Sequence, residues 1–168
     1  RAYCSILFGD TPEQTYELGR TFSGQGFTAV KFGWGPMGQG EKTDIALVRE
    51  ARRGVGDEVD VLIDAGQVWD WSMALKRARQ FEEFRPFWIE EPLHPQDIEG
   101  FARLTAESPV PIATGEAESR LPEFERLVVE GGLDWIQPDP GRCGISNMVD
   151  AGRFAHQHGS KVVNHSFK

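Results

Sequence analysis

Five short apolar runs in this chain end on an ionisable residue at a nearly constant interval. DVLID ends on Asp64, FWIE on Glu90, PIATGE on Glu116, DWIQPD on Asp139 and KVVNH on His165. The intervals are 26, 26, 23 and 26 residues. Each has room for one strand, one loop and one helix. Parallel strands need a crossover of that kind, whereas antiparallel strands can be joined by a tight turn. Ionisable groups at the C-terminal ends of successive parallel strands converge on one mouth of a β/α barrel. An open doubly wound sheet would collect its ligands at a single switch point and leave most of the five unexplained. The glycines of GWGPMGQG do not form the GxGxxG pattern of such a sheet.

The remaining punctuation fits the same order. Strands are predicted over 2–8, 27–32, 59–64, 87–90, 112–114, 134–137 and 161–165. Helices are predicted over 13–24, 43–55, 71–84, 98–106, 122–129 and 145–158. Thr11 suits an N-cap and Pro12 the first helical position. Ile45, Val48, Ala51, Arg52 and Val55 fall roughly on one face of the second helix. The strands are continuous apolar runs, as expected where helices cover the outer face of a parallel sheet. The expected fold class is α/β: a partial TIM-type (β/α) barrel of about seven parallel strands. The chain has 168 residues, against about 250 for a complete barrel, so it reads as a fragment of a larger barrel protein. It opens on Arg1 and stops on Lys168 just after a strand, and both ends read as cut.

Composition narrows the partners. Lys plus Arg total 18 against 26 Asp plus Glu, for a formal charge of -8. No basic stripe tracks a phosphate backbone, so nucleic acid is not an expected partner. No apolar run is long enough to span a bilayer and no signal-peptide pattern opens the chain. No membrane partner and a cytoplasmic location are expected. Cys4 and Cys143 have no metal-ligand spacing and read as reduced, structural thiols.

Asp64, Glu90 and Glu116 are three hard oxygen donors on consecutive strand ends, a set suited to Mg²⁺ and its octahedral oxygen shell. Taken singly, each acid could instead cap a helix or answer an arginine. Glu90 and Glu91 are adjacent, so a persisting strand points them to opposite sides. His165 and Asp139 end adjacent strands. A carboxylate on one imidazole nitrogen fixes the tautomer and makes the other a general base or acid; the same pair could simply tie two strands together. Lys31 is the lone lysine inside an apolar strand run and can bind a substrate carboxylate or snorkel to solvent. Glu118, two residues beyond Glu116, can share its face near a substrate. Asn164 and Gln137 can orient hydroxyls or satisfy backbone groups. Trp34 and Trp69 lie in mouth loops and can wall a pocket, and His94 can line the mouth. Trp88 and Trp135 read as barrel packing.

As a set, DAG at 64–66, IEEP at 89–92, GE at 115–116, QPD at 137–139 and NH at 164–165 closely resemble the enolase superfamily, in its mandelate racemase/muconate lactonizing enzyme-like branch. The resemblance implies Asp64, Glu90 and Glu116 as Mg²⁺ ligands and Asp139 with His165 as the catalytic dyad. It implies removal of the proton α to a carboxylate, and it favours Glu90 over Glu91 as the ligand. Racemases of the branch carry a Lys-x-Lys pair on the second strand. Here Lys31 fills the first position and Gly33 the second, so a two-base racemisation loses one partner. The chain therefore resembles an acid-sugar dehydratase acting on a small sugar acid, with Lys31 in a catalytic and substrate-binding role. Racemase or epimerase activity, or an inactive metal-binding homologue, are the alternatives. Residues 1–168 would then be an incomplete barrel domain lacking the N-terminal capping domain and the last strand. The fragment alone is expected to be inactive, and the full-length protein a homo-oligomer.

Overall fold

The computed structural model describes residues 2–166. Strands and helices alternate without exception in type: β1 Cys4–Leu7, α1 Pro12–Gly24, β2 Ala29–Gly33, α2 Glu41–Val55, β3 Asp60–Asp64, α3 Trp71–Phe81, β4 Trp88–Glu90, α4 Ile98–Glu107, β5 Ile112–Thr114, α5 Leu121–Val129, β6 Trp135–Ile136, α6 Pro140–Gln157 and β7 Lys161–Val162. The seven strands form one parallel sheet in sequence order, each paired with the next. This is the topology of a partial (β/α) barrel, as the spacing predicted.

The period of two along each strand sorts the side chains. Val30, Phe32, Val61, Ile63, Ile89, Ile112 and Ile136 face outward and pack under Leu47, Ala51, Ala78, Phe81, Phe101, Leu104, Phe124 and Leu127 of the helices. Ala29, Leu62, Trp88 and Ala113 face the other way and form a separate cluster with Tyr3, Trp135 and Val163. Burying one leucine or phenylalanine side chain contributes about 1.5–3 kcal/mol, so the outer layer carries most of the fold. The inner cluster plugs the barrel below its mouth, and Trp88 and Trp135 belong to it as expected.

Local chemistry sets the helix starts. The Thr11 hydroxyl accepts from Gln14 N–H at 3.3 Å, Asp70 from Met73 N–H at 2.8 Å and Asp97 from Gly100 N–H at 2.9 Å. Each satisfies one of the backbone donors that a helix leaves open at its first turn. In α6 the predicted start at Ile145 is only the second half of the element. Gly144, at φ 75°, breaks it, and one helical turn precedes the break from Pro140. The predicted helix 71–84 ends instead at Phe81, and Glu82–Phe84 tightens into a 3₁₀ turn. No helix among the described residues is long and apolar enough to cross a membrane.

One packing face departs from its prediction. In α2 the buried residues are Asp44, Leu47, Val48, Glu50, Ala51, Gly54 and Val55, while Ile45 and Arg52 are half-buried. Asp44 can turn inward because Arg77 of α3 donates to it at 2.7 Å and the Gly38 N–H at 2.8 Å. A buried carboxylate is tolerated only with such partners. Trp69, expected to wall a pocket, is instead buried in the outer core against Phe81, with ring centroids 6.2 Å apart.

Candidate active site at the strand C-termini

The register brings the strand-end residues side by side. Gly33 lies opposite Asp64, and Asp64 opposite Glu90, on neighbouring strands. Lys31 sits two residues before Gly33 and so on the same inward face. Its Nζ lies 3.4 Å from Asp64 Oδ2 and pairs directly with Glu90 Oε1. The other oxygen of each acid has a fixed donor: Gly66 N–H to Asp64 Oδ1 at 3.0 Å, and Trp88 Nε1 to Glu90 Oε2 at 3.0 Å. All three charged side chains are buried.

Glu90 and Glu91 do face opposite ways. Glu91, at φ 44°, turns from the barrel interior and accepts from the Gln67 amide at 2.6 Å. Burial pushes its carboxyl up to about 7. Neither the strained backbone nor the Gln67 partner was visible in the sequence.

Across the mouth, His165 Nδ1 lies 2.7 Å from Asp139 Oδ2 and Nε2 lies 3.2 Å from Glu116 Oε2. A neutral ring has one N–H, so two carboxyl groups on its two nitrogens are satisfied together only by an imidazolium or by a proton on one of the two acids. Burial raises Glu116 from its ordinary value, against the opposing charge of His165. Burial would also raise Asp139, but the hydrogen bonds from His165 and from the Gly141 N–H hold it below its usual value. Asp139 thus does two jobs: it holds the imidazole and it caps α6 through Gly141 N–H at 2.6 Å.

A cavity of about 510 Å³ at the mouth is lined by Ser5, Lys31, Trp34, Asp64, Glu116 and His165 among others, with Glu90 and Asp139 outside its lining. A smaller cavity of about 230 Å³ lies among Tyr3, Leu62, Trp88 and Trp135 and contains none of the five strand-end residues. The structure therefore gathers Lys31, Trp34, Asp64, Glu116 and His165 at the mouth. Trp34 is exposed there, at φ 56°. Glu118 lines a separate depression with Arg120, Glu123 and Arg126 rather than this cavity. His94 and Asn164 are exposed and are not among the cavity's lining residues. Gln137 is fully buried, and neither atom of its amide has a hydrogen-bond partner among the described residues, so it does not serve the backbone.

The expectation of one preformed three-carboxylate metal site is not met in this arrangement. Among the described residues no three His, Cys, Asp or Glu side chains stand close enough together to hold an ion. The physical reason is visible: Lys31 stands between Asp64 and Glu90, and His165 stands on Glu116. The donor chemistry nonetheless fits a hard cation. The three acids supply only oxygens, and they feel one another's charge. Burial, then the Glu90 charge, pushes Asp64 up to about 6 despite Lys31. Burial alone would depress the Lys31 ammonium, but Glu90 and Asp64 outweigh it and hold it above the usual lysine range.

Comparison with known proteins bears on the family and the fold. The family described as "Enolase C-terminal domain-like" matches residues 16–168. The L-talarate/galactarate dehydratase of Salmonella typhimurium (strain LT2) is 41% identical over 123 residues, covering 73% of this chain and 31% of that protein. The D-gluconate dehydratase of Thermoproteus tenax is 33% identical over 153 residues, covering 86% of this chain and 30% of that protein. The chain thus spans under a third of the length of either relative. Among solved structures, a predicted mandelate racemase from Rhodobacter sphaeroides superposes with a TM-score of 0.95 at 36% identity, covering 99% of this chain and 44% of that one.

Proposed function

This chain belongs to the enolase C-terminal domain-like family, and from that premise we propose that the whole protein dehydrates a sugar acid. In this reading the proton α to the substrate carboxylate is removed and water is eliminated from the neighbouring carbon. The observation that carries it is the one-sided placement of the base. His165 is oriented by Asp139 at 2.7 Å and borders the cavity on the β7 side. On β2, the position that a second lysine would occupy is Gly33, which has no side chain to take or return a proton.

Asp64, Glu90 and Glu116 would hold Mg²⁺, whose charge would stabilise the anion that develops on the substrate carboxylate. The chain's own residues do the rest. Asp139 fixes Nδ1 of His165, so that Nε2 is the nitrogen that faces the substrate carbon. His165 takes the α-proton there. It can return a proton to the departing hydroxyl on the same face, so that water leaves, and the resulting enol tautomerises to a 2-keto acid. Lys31 supplies positive charge on the opposite side of the cavity and meets the substrate carboxylate. Trp34 walls the opening, and Glu118, Asn164 and His94 remain candidates for substrate contact in the whole protein. The capping domain and last strand of the family would complete the site, the isolated piece would be inactive, and the working protein would be a homo-oligomer.

The two dehydratase relatives support a polyhydroxy acid as substrate. The racemase neighbour favours the alternative of racemisation or epimerisation, and Gly33 argues against it. The test is incubation of the full-length protein with Mg²⁺ and a panel of aldonates and aldarates. Formation of 2-keto-3-deoxy acids is the expected result. Inversion at the α-carbon without water loss would overturn the dehydratase reading.

A further inference from the structure

We propose that Lys31 is the built-in counter-ion of Asp64 and Glu90, and that a divalent cation binds by displacing its ammonium from these two acids. The inference rests on the assignment of Asp64 and Glu90 as metal ligands made above. What carries it is the way the two carboxylates divide their oxygens. Asp64 Oδ1 is held by the Gly66 N–H and Glu90 Oε2 by the Trp88 indole. The two oxygens left over, Asp64 Oδ2 and Glu90 Oε1, converge on one point. That point is occupied by Lys31 Nζ.

The seat of the ammonium follows from where the two acids stand. Asp64 and Glu90 are register partners on adjacent strands, and Glu90 is fully buried. Two like charges placed there without a cation would be strongly unfavourable. Lys31 supplies the cation from β2, one strand away, on a flexible four-carbon stem. An ammonium and a divalent ion cannot share the same two oxygens, both because they occupy the same volume and because they repel. The cavity that Lys31 already lines gives its head group somewhere to go. Metal binding and exit of Lys31 from the acids are then one event. It turns a residue that stabilises the empty barrel into a positive group free to meet an anion in the cavity.

The test uses the full-length protein and Mg²⁺ alone, without substrate. Titration calorimetry compares wild type with Lys31→Met. The variant is expected to bind Mg²⁺ at least about tenfold more tightly, because no resident cation competes. Its metal-free melting temperature should fall, and Mg²⁺ should raise it by more than in wild type. Equal or weaker Mg²⁺ binding by a folded Lys31→Met protein overturns the inference while leaving the metal assignment standing. If neither protein binds Mg²⁺, the metal assignment falls and the inference with it. Should the variant not fold, crystals of the wild type grown with and without Mg²⁺ decide the matter. Lys31 Nζ should pair with Glu90 only in the metal-free form, and a pair kept intact beside a bound ion overturns the proposal.

Discussion

Gly33 and Asp64 sit opposite one another on β2 and β3, and a β-carbon placed on Gly33 would come within 2.9 Å of Asp64 Cβ and 3.1 Å of Asp64 Oδ2. A glycine inside a strand marks close approach of another group, and here that group is a member of the carboxylate set. The same position is where the Lys-x-Lys pattern would put a second base.

Gly33→Ala should strain the mouth. Overpacking of this kind costs about 1–3 kcal/mol. We expect a lowered urea midpoint for the full-length protein and weaker Mg²⁺ binding, because Asp64 must yield by a few tenths of an ångström. Unchanged binding and stability would show that Asp64 moves aside freely, and that the close approach does not set the residue at 33.

The two acids of the IEEP motif should separate cleanly. Glu90→Gln removes a group that faces the mouth and the Lys31 ammonium. Glu91→Gln alters a group hydrogen-bonded to Gln67 on the other side of the strand. Calorimetric Mg²⁺ titration should therefore show a much larger loss for Glu90→Gln. Equal losses would mean that both acids contribute to the ion's environment.

Much of this was legible before any coordinates. The strand ends at Asp64 and Glu90, the opposite facing of Glu90 and Glu91, and the meeting of His165 with Asp139 follow from a period of two along strands and a period of about 26 between them. What was not legible depends on pairs formed across that period. Asp44 is not on the apolar face that the period assigns to α2, and its partner Arg77 is 33 positions away on another helix. Trp69 read as a pocket wall because it lies in a mouth loop, yet its ring packs on Phe81. Lys31 was recognised as unusual, but its seat between two acids of different strands follows only from the barrel's register.

That Asp44–Arg77 pair supports a stability prediction. Both side chains are almost fully buried, at 0% and 4% exposure, and Asp44 also holds the Gly38 N–H of the β2–α2 loop that carries Trp34. Breaking a buried pair by removing one partner costs about 3–5 kcal/mol, because the other charge is left unpaired. Asp44→Asn and Arg77→Met should each lower the denaturation midpoint sharply. The double variant should be less destabilised than the sum of the two. Additive losses would show that the two groups do not depend on one another.

Acid should weaken one helix start in a defined window. Glu123 accepts from the Ser119 and Arg120 N–H groups at 2.8 and 2.9 Å, and from the Arg120 guanidinium. The Ser119 N–H and the Arg120 side chain are the largest influences, and they hold the carboxyl down to about 2. A carboxylate lower in the folded chain than in the unfolded one stabilises the fold above its ordinary value near 4.5. That contribution is lost as pH falls from there towards 2. Because the group is partly exposed, it is worth about 0.3–1 kcal/mol. Glu123→Gln should therefore cost stability at pH 7 and cost progressively less as pH falls through that window, measured as paired urea midpoints. A difference independent of pH would assign the effect to the shape of the side chain instead of its charge.

The sharpest prediction concerns the histidine. His165→Asn keeps the size and polarity of the residue but removes the base. Loss of a positioned general base costs typically 10²–10⁴-fold, so kcat for water loss from a sugar acid should fall by about 10² or more. Mg²⁺ and substrate binding should change far less than kcat, because of the three acids only Glu116 contacts the ring and its carboxylate is kept. Asp139→Asn is the companion test. It leaves His165 in place but offers Nδ1 a neutral partner, which weakens the preference for the tautomer that aims a lone pair from Nε2 at the substrate. Its kcat should fall while KM changes little. Asp139 also caps α6 through the Gly141 N–H, so an asparagine, which can cap equally well, separates the electrostatic role from the structural one. If His165→Asn turned over sugar acids at the wild-type rate, the proton would have to leave by another group. The approach of Asp139 to the ring at 2.7 Å would then be a tie between β6 and β7 and nothing more.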